Sequence, residues 1–261
     1  MVSPLPSIIV VTIFVLNVSS CLCSVLPTGY NTGLATWYGN ETGPGRGAAC
    51  GWEMDVKDLP LSAMISAGNA NIFLKGKGCG HCFQISCTQP PHCSGKPITV
   101  TISDECPGAC NNVPFHFDLS GFAFGKMANP GQDQNLRKLG QVNVQYNRSS
   151  VGCGRVPCNY GSTKIAFKVS QKSNPYWFAM AIEYVNGDGG VDRVEIAAGG
   201  AQSYSPMDNI WGAVWEKGIA PSFKPPYSFK LTSGDGKTLV ATNVIPLNFS
   251  PGQKYASTVN F

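Results

Sequence analysis

Two carboxylates stand in surroundings suited to sugar chemistry. Asp104 lies in Thr101-Ile102-Ser103-Asp104-Glu105-Cys106-Pro107-Gly108, and Asp118 lies in Phe115-His116-Phe117-Asp118-Leu119-Ser120. An acid at a strand end among aromatic rings is what protonation of a glycosidic oxygen requires, and two such acids are what hydrolysis requires. The competing reading is structural: Asp104 opens a turn, and Asp118 caps the short helix that follows. On these two segments alone the structural reading is the stronger.

Cys79-Gly80-His81-Cys82 admits three chemistries. A redox dithiol needs an attacking thiolate, usually stabilised at a helix N-terminus. Here Cys82 runs into Phe83-Gln84-Ile85-Ser86-Cys87, a strand pattern with no helix to lower a thiol pKa. Zinc could draw on His81, His92 and nearby cysteines, but in an oxidising compartment structural bridges are the stronger expectation. Tryptophan supplies a further chemistry, because its face stacks on the CH faces of sugar rings. Period two along Trp177-Phe178-Ala179-Met180-Ala181-Ile182-Glu183-Tyr184 puts Phe178, Met180, Ile182 and Tyr184 on one face and Trp177 on the other. Trp211 and Trp215 share a parity, so one of these two is expected in the core.

The elements that must hold these residues are short strands. With 30 Gly and 19 Pro in 261 residues, turns are favoured over long helices, and the chain reads as all-β. Runs at 33–38, 83–87, 98–102 and 141–146 have strand character, and only 61–67 and 121–128 look helical. From Ile165 onward the alternation is cleaner, with further strands at 193–196, 228–231 and 238–244, the spacing of a small β-sandwich. Apart from Cys21 and Cys23 near the start, the cysteines lie between Cys50 and Cys158, and 160–261 has none, a break that suggests two domains.

The apolar run 8–16 is too short to span a bilayer and is followed by small residues, so 1–24 reads as a signal peptide, although its n-region carries no Lys or Arg. No later segment is long and apolar enough to cross a membrane. Eleven cysteines suit secretion; removal of 1–24 leaves an odd number, so one thiol stays unpaired within the chain. The sequons at Asn40, Asn147 and Asn248 are open to glycosylation there. A formal charge of +4 with 13% charged residues argues against a nucleic-acid partner.

In combination the motifs resemble one family. Thr36-Trp37-Tyr38-Gly39, Ala49-Cys50-Gly51, Gly78-Cys79-Gly80, Cys82-Phe83, Ser103-Asp104-Glu105-Cys106-Pro107-Gly108 and His116-Phe117-Asp118-Leu119-Ser120 look like the first domain of an expansin. Ser173-Asn174-Pro175-Tyr176-Trp177, Tyr184-Val185-Asn186-Gly187-Asp188-Gly189, Trp211-Gly212-Ala213-Val214-Trp215 and Val244-Ile245-Pro246 resemble its second. Asp104-Glu105-Cys106-Pro107-Gly108 with Cys110 is similar to the beta branch, which includes the grass-pollen group-1 allergens.

The resemblance implies a six-stranded double-psi β-barrel at 29–160, related to family-45 endoglucanases, then an immunoglobulin-like, carbohydrate-binding β-sandwich at 164–261. It implies bridges Cys50–Cys79, Cys82–Cys158 and Cys87–Cys93; the spacing of Cys106 and Cys110 allows a fourth, leaving Cys153 as the odd thiol. It places Thr36, Tyr38, Asp104 and Asp118 in a glycan groove, with Asp118 matching the endoglucanase general acid, and makes Trp177 and Trp211 platforms. It implies a secreted, monomeric wall protein that binds cellulose and xylan, loosens their contacts without hydrolysis, and uses no cofactor or metal. The endoglucanase base would lie beside Ala35-Thr36-Trp37-Tyr38, where no carboxylate stands; Glu41, Glu53 and Asp55 are merely near in sequence. Arg46 stands where the family usually has an acidic residue. Two rivals are a true endoglucanase, which needs a second carboxylate opposite Asp118, and a barwin-like defence protein, which would not need the second domain.

Overall fold

The computed structural model describes residues 31–43, 45–148, 157–201 and 203–261. The signal-peptide reading and Cys153 fall outside these residues.

The first domain is a closed barrel of β1 (Asn31–Tyr38), β2 (Ile65–Gly68), β3 (Cys82–Cys87), β4 (Ile98–Glu105), β5 (His116–Ser120) and β6 (Gln141–Arg148), with helices α1 (Ala70–Phe73), α2 (Gly121–Lys126) and α3 (Asp133–Lys138) between strands. Around the barrel the order is β1-β5-β2-β4-β3-β6, with β1–β5 and β2–β4 parallel. These two interlocked parallel pairs make it a double-psi barrel. The alternation in β6 points Val142, Val144 and Tyr146 inward, where Tyr146 meets the rings of Phe83 and Phe117.

Two local expectations fail. Residues 61–67 form no helix: Ser62 and Ala63 take positive φ, and Ile65–Gly68 is the wholly buried strand β2 between β4 and β5. Four consecutive buried residues carry no alternation, so burial on both sides erased the strand signal. Nor does Asp118 cap a helix. It lies within β5, and the cap of α2 is Ser120, whose hydroxyl accepts from the Ala123 N–H at 3.0 Å. Asp104, read as a turn opener, is inside β4.

Disulfides join Cys50 to Cys79, Cys82 to Cys158, Cys87 to Cys93 and Cys106 to Cys110. Cys79 and Cys82 therefore serve different bridges, and Cys82 begins a strand, which leaves no redox dithiol.

The second domain packs two sheets. One has the order β10 (Ser205–Pro206), β9 (Val191–Ala198), β13 (Tyr227–Ser233), β14 (Thr238–Ile245). The other has the order β11 (Asp208–Trp211), β12 (Val214–Gly218), β8 (Trp177–Glu183), β7 (Ala166–Val169), β15 (Lys254–Ala256). Phe167 and Phe178 stack on Phe229 with centroids 4.8 and 6.2 Å away, closing an immunoglobulin-like core.

The outer face of the five-stranded sheet is divided between two tasks. Ala166, Ala181 and Val214 on that face, with Tyr184 just beyond β8, join the apolar cluster of the barrel rather than that of the sandwich. The Trp52 indole donates to Ile182 O at 2.9 Å. Asp55 of the barrel accepts from Lys168 at 2.8 Å and faces Lys254 at 3.0 Å, and Lys254 also reaches Glu183 at 2.7 Å and the Tyr184 hydroxyl at 2.8 Å. Three acceptors thus meet the three N–H bonds of one ammonium group.

Candidate functional site

Strand register brings the four barrel candidates together. In the parallel β1–β5 pair Thr36 lies beside Asp118, and β2 places Ala67 beside both Asp118 and Asp104. The two acids therefore flank one residue of a central strand, their backbones two strand spacings, or about 10 Å, apart. Thr36 and Tyr38, two apart in β1, point to the same side as each other.

The Thr36 hydroxyl donates to Asp118 Oδ1 at 2.5 Å and lies 2.8 Å from His116 Nε2. Since that hydroxyl has one proton, His116 supplies its own Nε2–H, and a chain runs from His116 through Thr36 to Asp118. Burial lowers the His116 pKa despite the nearby Asp118 charge, so the ring is neutral, and its buried Nδ1 has no partner. Burial raises the Asp118 pKa, with the Thr36 hydrogen bond and His116 acting against it. The bridged sulfur of Cys106 lies 3.8 Å from Oδ2 and has no proton to give. Asp118 is thus an acid held by one oxygen, and burial shifts its carboxyl toward the protonated form.

Asp104 is fastened differently. Its Oδ1 accepts from the Ala49 and Glu105 amides at 2.9 and 3.0 Å. Burial still raises its pKa, and Glu53 adds to the rise. The Tyr38 hydroxyl donates to Arg46 O at 2.8 Å and accepts from Arg46 N at 3.0 Å; burial, then the Asp104 and Asp118 charges, push its pKa to about 12. Tyr38 therefore stays protonated.

Arg46 does not pair with a groove carboxylate; its guanidinium lies 3.8 Å from Glu53, both side chains being over half exposed. Glu53 is paired with Arg46 at the surface, close enough to Asp104 to raise its pKa, and Asp55 belongs to the domain junction. Glu41 is exposed beyond the end of β1. Asn40 and Asn248 are exposed and Asn147 is half-buried in β6. No group of three or more His, Cys, Asp or Glu converges on a metal site among the described residues. His92 is taken up by Gln132 at 3.0 Å and His81 by Arg148 at 3.1 Å.

The loop that binds Asp104 also touches the second domain. The Ala213 amide donates to Cys50 O, and Gly51, at φ +84°, lies against Val214 and the edge of Trp211. A methyl group on Gly51 would overlap Val214 and sit 3.6 Å from the Trp211 ring. Beyond this loop the sandwich shows its uncovered half. Trp211 pairs with Val214, Val214 with Ala181, and Gly218 with Trp177, so both tryptophans lie on the outer face. Trp211 is 46% exposed, whereas Trp215, opposite Met180, is buried. The tight turn between β11 and β12 breaks the parity that 211 and 215 share on paper. Trp177 is half-buried, its indole N–H donating to Glu216 Oε2 at 2.6 Å.

Comparison with known proteins decides the family. The model of the expansin C-terminal domain matches residues 165–246, and a double-psi barrel model described as lytic transglycolase matches 65–146. Expansin-B4 of Arabidopsis thaliana is 42% identical over 255 residues, covering 95% of both chains. Putative expansin-B2 of the same plant is 46% identical, covering 87% of this chain and 81% of its own. The chain belongs to the beta-expansins. Membership makes it a wall-loosening protein and not an enzyme. In its fold this expansin also resembles two crystal structures of the Clavibacter michiganensis expansin: an apo form (TM-score 0.61, 22% identity) and an aspartate-to-asparagine mutant in complex with cellohexaose (TM-score 0.63, 21% identity). Each covers 88% of this chain and 96% of its own.

Sequence reasoning missed three contributors in this expansin: His116, Glu216 and the lysines that clasp Asp55. His116 was within reach, because residues two apart in a strand share a face and it stands two before Asp118.

Proposed function

We propose that this expansin is secreted after loss of 1–24 and acts as a monomer, with barrel 29–160 and sandwich 164–261 presenting one continuous glycan face. A stretch of cellulose or xylan lies along Thr36, Tyr38, Asp104 and Asp118, passes over the Ala49–Cys50–Gly51 loop, and stacks on Trp211 and Trp177. The carrying observation is that this one loop holds Asp104 through the Ala49 amide and packs against Trp211 through Gly51. Asp118 grips the sugar, donating from its free oxygen when protonated, and does not cleave it. Cleavage by inversion needs a second carboxylate free to activate water. Asp104, the nearest acid across β2, has Oδ1 fixed by two amides. Exposed Asn40 and Asn248 carry glycans.

Wall extension under constant load, run beside release of reducing sugar from cellulose, xylan and mixed-linkage glucan, tests this reading. Extension without sugar release is expected, with Asp118→Asn abolishing extension. Steady cleavage of a soluble glycan by the wild type, stopped in Asp118→Asn, would show a hydrolase.

A further inference from the structure

Glu216 occupies the middle of the tryptophan face. In the β12–β8 and β11–β12 registers it pairs with Ala179 on one side and Asp208 on the other, midway between the Val214 and Gly218 levels at which Trp211 and Trp177 stand. Residues two apart in a strand advance by about 7 Å on one face, so Glu216 lies one such step from each platform. A glycan laid across both rings passes over it.

Two features of this carboxylate are not explained by folding. Its Oε2 receives the Trp177 indole proton at 2.6 Å, a short, charge-assisted bond that sets the ring orientation and leaves lone pairs on Oε1. Directly opposite stands Asp208, exposed and of the same charge. Facing like charges on neighbouring strands destabilise a sheet. Sugar hydroxyls, which donate protons, would be satisfied by such a pair.

We propose that Glu216 is the polar grip between the two stacking platforms, and that with Asp208 it makes this face select uncharged glycan stretches over those carrying uronic acids. This rests on the glycan-face reading above. A uronate about 6 Å from an exposed carboxylate is repelled by roughly a threefold loss in affinity at low salt, and two such charges by about tenfold. Salt at about 1 M screens beyond about 3 Å and should erase the difference.

The test is retention of the purified protein on insoluble cellulose, and on xylan with and without glucuronic acid substituents, at low and high salt. Wild type should favour unsubstituted over substituted xylan several-fold at low salt only. Glu216→Gln keeps an acceptor for Trp177 and removes the charge, so that preference should fall by about threefold. Glu216→Ala removes the acceptor as well and should weaken retention on cellulose, with the thermal transition checked to exclude misfolding. An unchanged preference in Glu216→Gln overturns the selectivity, and unchanged cellulose retention in folded Glu216→Ala overturns the grip. If Trp177→Ala and Trp211→Ala also leave retention intact, the glycan face itself is wrong, which is a separable result.

Discussion

Replacing Asp55 by Asn should loosen the two domains from each other without touching a groove or platform residue. Asp55 lies 2.8 and 3.0 Å from the Lys168 and Lys254 ammonium groups, and all three side chains are less than one-third exposed. At an effective dielectric constant of about 20, each attraction is worth about 6 kcal/mol gross. Desolvation consumes most of that, and a charge-assisted hydrogen bond retains about 1.5–3 kcal/mol net. Asn keeps the shape and one acceptor oxygen, so the loss is about 2 kcal/mol, or a fall in Tm of about 4–8 °C. A double-mutant cycle with Lys168→Met, read by calorimetry, should show coupling near 1–2 kcal/mol, since the second substitution removes the charge that the first leaves unbalanced. The pH dependence has a fixed sign. Burial alone would raise the Asp55 carboxyl, but the two lysines more than offset it and hold it below its ordinary value of 3.8. Its stabilisation is therefore fully present above about pH 4 and is lost as pH falls through the lower folded value. Additivity within about 0.5 kcal/mol, or equal acid sensitivity of wild type and Asp55→Asn, would refute the junction as described.

Other substitutions separate binding from folding. Asp118→Asn should be no less stable than the wild type at pH 7: the folded pKa is raised, so ionising this acid opposes folding as pH climbs from 3.8 through the folded value, and a lower Tm at pH 7 by calorimetry would contradict that. Trp211→Ala should cost about 1–3 kcal/mol in retention on insoluble polysaccharide with normal thermal unfolding, and Trp177→Ala a similar amount; unchanged retention would make both rings structural. Partial reduction with peptide mapping should never recover a Cys79–Cys82 bridge. Gly51→Ala should disturb the junction, because its φ of +84° and the Val214 side chain both oppose a Cβ; an unaltered Tm would show the contact to be soft.

Alternation along the longer strands was legible in the sequence, and the short strands β2 and β5 of the barrel were not. The second domain alternates plainly in β8, with Phe178, Met180 and Ile182 inward. In the barrel, β2 is buried throughout and β5 nearly so, and neither was foreseen. Missing β5 had a chemical consequence: Asp118 was weighed as a helix cap, and His116 was not seen to share its face. The four bridges join the cysteines that the family resemblance and spacing suggested, since those positions belong to motifs rather than to periodicity. Glu183 shares the Trp177 face by period two, yet it is 1% exposed, because the barrel covers that half of the sheet. No pattern within a strand announces that a second domain will cover it.

The sheet face proposed to bind glycan is also the face that docks. Its Ala181 and Val214 end is closed by the Cys50–Gly51 loop and Trp52, and its Trp177 end is open. This arrangement fixes the distance between the Asp118 groove and the tryptophans with packed side chains and an ion cluster, where a flexible linker would leave it free. Once one half is bound, a fixed partner site meets the same chain at a high effective concentration, and a mobile one at a lower value. Asp55→Asn should therefore lower retention on long glycans more than on oligomers too short to bridge both halves, although Asp55 contacts no glycan. Equal losses on long and short ligands would mean that the two halves bind independently, and the continuous face would then be only a surface feature.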